Sequence, residues 1–228
     1  MQEVKEEEQP AVVQLSLASG IMSIMEQQVP NNEIEVVILG VGTERALYDR
    51  PFDPDDKAPP DCYAQKLGND DTFNPTMIPA ENVPEPRSDT CANCDLSKMG
   101  SADRGKGPAC KTRRRMVVAP ASVVDNPGAL GKQLLLVNVP PTSGRNYSNY
   151  VNKIASQGLP PEGVITKISY KPSKKVMFEM HFDPVQPIEN EEALAAIFTR
   201  AHEFTPLIVG GYSYEQPEGE EGSGSKKY

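Results

Sequence analysis

Apolar and polar positions alternate along much of the chain in the period-two pattern of half-buried strands. Val13, Leu15 and Leu17 begin the pattern, although Ile21 to Met25 suits a short helix as well as a strand. Ile34-Glu35-Val36-Val37-Ile38-Leu39-Gly40 is a firm strand, and Glu44 to Tyr48 reads as its continuation or as a hairpin partner across Gly40 and Gly42. Arg115 to Ala119 and Gln133 to Val139 read as neighbouring strands or as one hairpin around Pro127 to Gly131. Val164 to Tyr170 and Lys175 to Phe182, joined by Lys171-Pro172-Ser173-Lys174, carry the strongest hairpin signal. Twice the period becomes helical. Pro140 and Pro141 stop a strand, Ser143 is placed to cap a helix with Tyr147, Tyr150, Val151, Ile154 and Ala155 on one face, and Gly158 ends it. Asn190 is placed to cap a second helix that shows Leu194, Ile197, Phe198 and Ala201. These elements predict a mainly β protein, an OB-like, partly open β-barrel with two flanking helices.

The pattern fails between Arg50 and Arg87, where Pro51, Pro54, Pro59, Pro60, Pro75, Pro79, Pro84 and Pro86 argue against regular structure. A loop of that length inside a compact domain needs something to hold it. Four cysteines offer that: Cys62, Cys91, Cys94 and Cys110. Cys91-Ala92-Asn93-Cys94 is a knuckle whose two-residue spacing lets one turn aim both sulfurs at a single ion, half of a tetrahedral site. The reading is a four-thiolate centre, zinc first, closing an insert from residue 50 to 115; an iron–sulfur cluster takes the same ligands and stays open as the alternative. Disulfides are disfavoured because no hydrophobic leader precedes the cysteines and the chain starts with Glu3, Lys5, Glu6, Glu7 and Glu8, which points to a reducing compartment. A thioredoxin-like pair is disfavoured because this CxxC lies among Pro, Gly, Asp and Asn, not between a strand and a helix.

Charge sharpens the picture. The chain has 228 residues and a net charge of −9, yet Arg87 to Arg115 holds eight positive and three negative side chains, a local +5 that leaves −14 for the rest. A basic patch on an acidic protein concentrates attraction for a polyanion at one place. Arg104, Lys106, Lys111, Arg113, Arg114 and Arg115 are the candidate phosphate contacts, and Tyr48, Tyr63 and Phe73 the candidate stacking residues, each with a core reading of at least equal weight. At 38% hydrophobic, the chain supports one core, expected over residues 11–214 between an acidic disordered stretch at 1–10 and a Gly/Ser/Glu/Lys tail at 215–228. No run of eighteen apolar residues occurs, so no membrane span is expected.

Two apparent motifs fail inspection. Gly40-Val41-Gly42 follows a strand as a dinucleotide-binding turn would, but Arg45 stands at the third glycine and Pro51 and Pro54 arrive before a helix could run; the glycines read as a turn or bulge. Gly105-Lys106-Gly107-Pro108 lacks the spacing of a phosphate-binding loop. With no paired carboxylates, no nucleophile with a base and no open metal position, the chain is not expected to be an enzyme.

Cys62, the Cys91-Ala92-Asn93-Cys94 knuckle, Gly100-Ser101, Gly105-Lys106-Gly107, Cys110 before Arg113-Arg114-Arg115, and Val139-Pro140-Pro141-Thr142-Ser143 together resemble an uncharacterised phage protein family with a four-cysteine insert, over roughly residues 34 to 185. In plan the chain is also similar to the zinc-containing single-stranded DNA-binding proteins of phage replication and recombination. That second resemblance implies an OB-fold protein that coats single-stranded DNA in the host cell cytoplasm. It also implies that an acidic C-terminal tail, here Glu215, Glu218, Glu220 and Glu221, competes with DNA or docks replication proteins.

Overall fold

The computed structural model describes residues 11–50, 58–68, 75–103 and 105–214. The acidic stretch 1–10, the tail 215–228, Phe73 and Arg104 lie outside the described residues. The fold is mainly β: nine strands form one sheet, a curled, open half-barrel. Its strands are β1 (Ala11–Ala18), β2 (Ile21–Ile24), β3 (Gln27–Gln28), β4 (Glu33–Leu47), β5 (Cys62–Leu67), β6 (Lys111–Pro120), β7 (Gln133–Val139), β8 (Val164–Ser173) and β9 (Met177–Pro187). They lie in the order β3-β2-β1-β7-β6-β4-β8-β9, with β5 also paired to β4. All pairs are antiparallel except β1 with β7.

The ambiguous segment after β1 is a strand, not a helix, because Ile21 to Ile24 fold back onto Leu15 to Ala18. Glu44 to Leu47 continue β4 instead of turning back. Over Arg50 to Arg87 the expectation of no regular structure needs correction: Cys62–Leu67, a proline-free window, pairs along β4 from Leu47 to Gly42. Lys111 to Arg115 belong to β6 and not to the insert, because the register with β4 runs unbroken from Ala46↔Lys111 to Gly40↔Val117.

Both faces of the sheet are covered. Helix α1 (Gly144–Ala155) lays Tyr147, Tyr150 and Ile154 against one face, where Val36, Ile38, Met116, Val118, Val137, Ile168, Met180 and Phe182 are buried. Helices α2 (Glu191–Arg200) and α3 (Thr205–Val209) cover the other, over Val37, Leu39, Val117, Ala119 and Leu134. Such two-sided burial explains the unbroken apolar run Val36 to Leu39. A bulge between Ile38 and Gly40 then changes the parity, so that Ile38 and Val41 pack on the same side. The turn between β1 and β2 approaches β9: Gly20, at φ +82°, lies so close to Phe178 that a Cβ would sit 2.2 Å from the ring.

Two caps differ in outcome. Asn190 caps α2 as expected, its side chain accepting from Ala193 N at 3.1 Å. Ser143 stands at the start of α1 but makes no cap bond; its Oγ accepts from Met180 N at 2.9 Å and fastens the edge of β9. Phe198 on α2 points outward at 52% exposure, because the helix buries Ala193 and Ile197 instead.

Candidate metal centre and basic strand

Beyond the bulge, β4 carries polar residues on both faces, flanked by β5 and β6. Directly paired residues share a face. Arg45 therefore sits beside Ala64 and Thr112, and Leu47 beside Cys62, on the side of α1; Glu44 sits beside Gln65 and Arg113 on the side of α3.

The first face holds the cysteines. Cys62 opens β5, Cys91 N donates to Met77 O at 3.1 Å, and Cys110 N donates to Leu96 O at 2.9 Å, just ahead of β6. Ser101 ties the arms together: its Oγ accepts from Ala109 N at 2.9 Å and shares its one proton between the carbonyls of Leu96 and Lys98, at 3.0 and 2.8 Å. All four cysteines line one cavity of about 20 Å³, with Arg45 in its wall. A space that size admits about one water-sized sphere. Burial pushes the Cys91 thiol up to about 12 and the Cys110 thiol up to about 11, and the Arg45 guanidinium opposes both shifts. Among the described residues, no group of three or more His, Cys, Asp or Glu side chains is arranged to hold a metal ion as it stands. The four thiols thus share a cavity without forming a coordination shell; the donor set and the size suit one soft divalent ion, and the histidines lie elsewhere.

No family model, curated protein or solved structure matches the chain. The site is read from its own geometry.

On the second face the arginine run takes an unexpected form. Glu44 is fully buried and accepts from Arg113, from Arg115 at 2.8 Å, from Gln65 Nε2 at 2.8 Å and from the Tyr212 hydroxyl at 3.1 Å. Burial alone would raise the Glu44 pKa, but Arg113, the Gln65 bond and Arg115 together lower it. Arg113 also donates to Tyr212 Oη at 2.6 Å, and Arg115 to Leu207 O at 3.3 Å. Arg114, one residue out of phase, faces α1, where its guanidinium lies 5.4 Å from the Tyr147 ring centre and donates to Ser148 Oγ at 3.3 Å. The three arginines therefore do not form one phosphate-binding edge, because a strand sends successive side chains to opposite faces.

The remaining candidates separate by exposure. Lys106 and Lys111 are exposed, Lys111 Nζ donating to Pro108 O at 2.6 Å. Tyr48 is 45% exposed, whereas Tyr63 is 3% exposed, bonded to Asn82 and in edge contact with Tyr212 at 4.9 Å. As placed, Tyr63 offers no ring face to a base. A C-terminal strap, Gly210 to Tyr214, causes this: Gly211 N donates to Gln65 Oε1, Asn82 Nδ2 to Tyr212 O, and the Tyr214 hydroxyl to Pro60 O. Gly40 and Gly42 make room for α3, which leads into the strap. A Cβ at Gly42 would lie 2.5 Å from Ile208 Cγ2 and 2.8 Å from Lys66 O, so these glycines serve the close approach of α3 to the strand.

Sequence reasoning missed Arg45, Glu44, Gln65 and Tyr212. One signal was available: adjacent charges of opposite sign, Glu44-Arg45, stand in the continuation of a strand that opens with the unbroken apolar run Val36 to Leu39. No helix among the described residues is long and apolar enough to cross a membrane.

Proposed function

We propose that this protein binds single-stranded nucleic acid, DNA before RNA, at the polar end of its curled sheet. A thiolate-ligated metal centre, zinc before an iron–sulfur cluster, holds the insert that carries exposed Lys106 and leads into Lys111 at the start of β6. The observation that carries this reading is one of place: four cysteines around one ion-sized cavity adjoin exposed Lys106 and Lys111, in a segment of +5 on a chain otherwise −14. Bound by Cys62, Cys91, Cys94 and Cys110, zinc would supply a tetrahedral cross-link among three separate chain segments. The half-barrel then serves as an OB-like platform, with Tyr48 as its exposed stacking residue and the lysines following the backbone. Arg113 and Arg115 act through their field, since two guanidiniums against one Glu44 leave a positive charge beneath the surface. On the phage resemblance the role is non-enzymatic, in replication or recombination in the host cytoplasm, with the acidic tail as a docking point for replication proteins.

A second reading has its own support. Arg113, Arg115 and Tyr63 are already engaged within the protein, Arg113 and Tyr63 by the C-terminal strap itself, as a metal-stabilised interaction module of a virion or regulatory complex would allow. Fluorescence anisotropy with an oligo-dT strand over a salt series separates the two. Binding whose log K falls with log salt, by about 0.7 for each phosphate neutralised, supports the first; no binding at about 50 mM salt leaves the second.

A further inference from the structure

We propose that Arg45 is the counter-charge of the cysteine centre, a positioning residue whose guanidinium compensates the thiolates and holds the Cys110 sulfur toward a shared ion. The inference rests on the metal reading of the cysteine cavity. Arg45 is 1% exposed, in the middle of the sheet and not at its rim, so its charge is withdrawn from water. Its cross-strand neighbours are the small residues Ala64 and Thr112, which leave its long side chain room to enter the cavity that the four cysteines line. There it donates a hydrogen bond to the Cys110 side chain. Its sequence neighbour Glu44 faces the other side and is occupied with Arg113 and Arg115.

Four thiolates around a divalent ion carry two negative charges in excess. With Cys91 and Cys110 buried, that excess opposes assembly of the shell unless a fixed positive charge stands close by. A guanidinium suits the position because it does not lose its proton, so its charge persists when buried. Partners just outside a ligand shell set metal affinity in this way, and removing one typically costs about 10- to 100-fold.

The test compares wild type, Arg45→Gln, Arg45→Lys, Cys94→Ser, Cys110→His and the double variant Arg45→Gln/Cys110→His. Zinc affinity is read by competition with a chromophoric chelator, and cobalt(II) spectra report the number of thiolates bound. The proposal predicts a loss of about 10- to 100-fold in zinc affinity for Arg45→Gln and a smaller loss for Arg45→Lys. In the Cys110→His background, where the site has one thiolate fewer, the effect of Arg45→Gln shrinks. Wild-type zinc affinity in a folded Arg45→Gln protein overturns the proposal, as does an undiminished loss in the Cys110→His background. If Arg45→Gln does not fold, Arg45→Lys decides: affinity within about tenfold of wild type supports the counter-charge, and a loss as deep as that of Cys94→Ser overturns it. A wild-type protein that binds neither zinc nor cobalt overturns the metal reading and this inference together.

Discussion

Strand β4 is two strands in physical terms. From Glu33 to Leu39 its inward positions are aliphatic on both faces, with Val36, Val37, Ile38 and Leu39 all at 2% exposure or less. From Gly40 to Leu47 it is almost as well buried, yet the groups inside include Thr43, Glu44 and Arg45, at 3%, 0% and 1%. One bulge separates the two regimes. The first half is held by apolar burial, which is non-directional and tolerates repacking. The second is held by directed contacts: a carboxylate between two guanidiniums on one face, and a guanidinium among four thiols on the other. Burial alone therefore does not distinguish scaffold from site here; the chemistry of what is buried does.

The sharpest way to break this comparison is Glu44→Ala. It leaves buried Arg115 and half-buried Arg113 without their carboxylate, and removing one partner of such a cluster typically costs about 3–5 kcal/mol. Denaturant unfolding should show that loss, together with freeing of the Tyr212 strap. The same carboxylate predicts a pH dependence. Its folded pKa lies below the ordinary 4.5, so its stabilisation is complete above about pH 4.5 and fades as pH falls through the lower folded value. Glu44→Gln should flatten the acid limb of the stability curve; an unchanged limb would show that other groups govern acid unfolding.

In the apolar half, Ile38→Ala should cost about 2–5 kcal/mol by opening a cavity. Metal stoichiometry should stay at the wild-type value while the domain remains folded, because Ile38 packs under α1 and not against the insert. Gly42→Ala sits between the two regimes. Its Cβ meets Ile208 and the Lys66 carbonyl, and overpacking of that kind costs about 1–3 kcal/mol. The change should lift α3 and raise hydrogen exchange in the strap before it affects β8 or β9. The smallest effect belongs to the rim: Lys106→Ala and Lys111→Ala should leave stability within about 0.5 kcal/mol of wild type. Each should also flatten the salt dependence of oligo-dT binding by about 0.7 if its ammonium neutralises one phosphate.

How legible each half was in the sequence follows from the same division. Aliphatic alternation is a local signal, so Ile34 to Gly40, Gln133 to Val139 and the β8–β9 hairpin could be read directly, as could the Asn190 cap. The hairpin turn itself lies three residues late, at Lys174 to Val176, because pairing runs on to Ser173↔Met177. The polar half depends on pairings across many residues. Arg113-Arg114-Arg115 reads as one basic run until β4 is laid beside it; then two of the three answer Glu44 and the third crosses to Tyr147. β5 was hidden in the same way, since six residues among prolines look like loop unless their partner is known. Ser143 shows the reverse case, a residue with the right local chemistry for a cap whose hydroxyl meets a stronger claim from β9.

The claim that the polar end is assembled around a metal, while the apolar end stands on its own burial, is tested most directly by hydrogen exchange on the protein before and after chelation. The account predicts that metal removal strips protection from Cys62 to Leu67, from the Cys91–Cys110 arm and from the first residues of β6, while Val36 to Leu39, β7 and the β8–β9 hairpin keep theirs. Uniform loss across the whole sheet, or no change at Cys62 to Leu67, would contradict it.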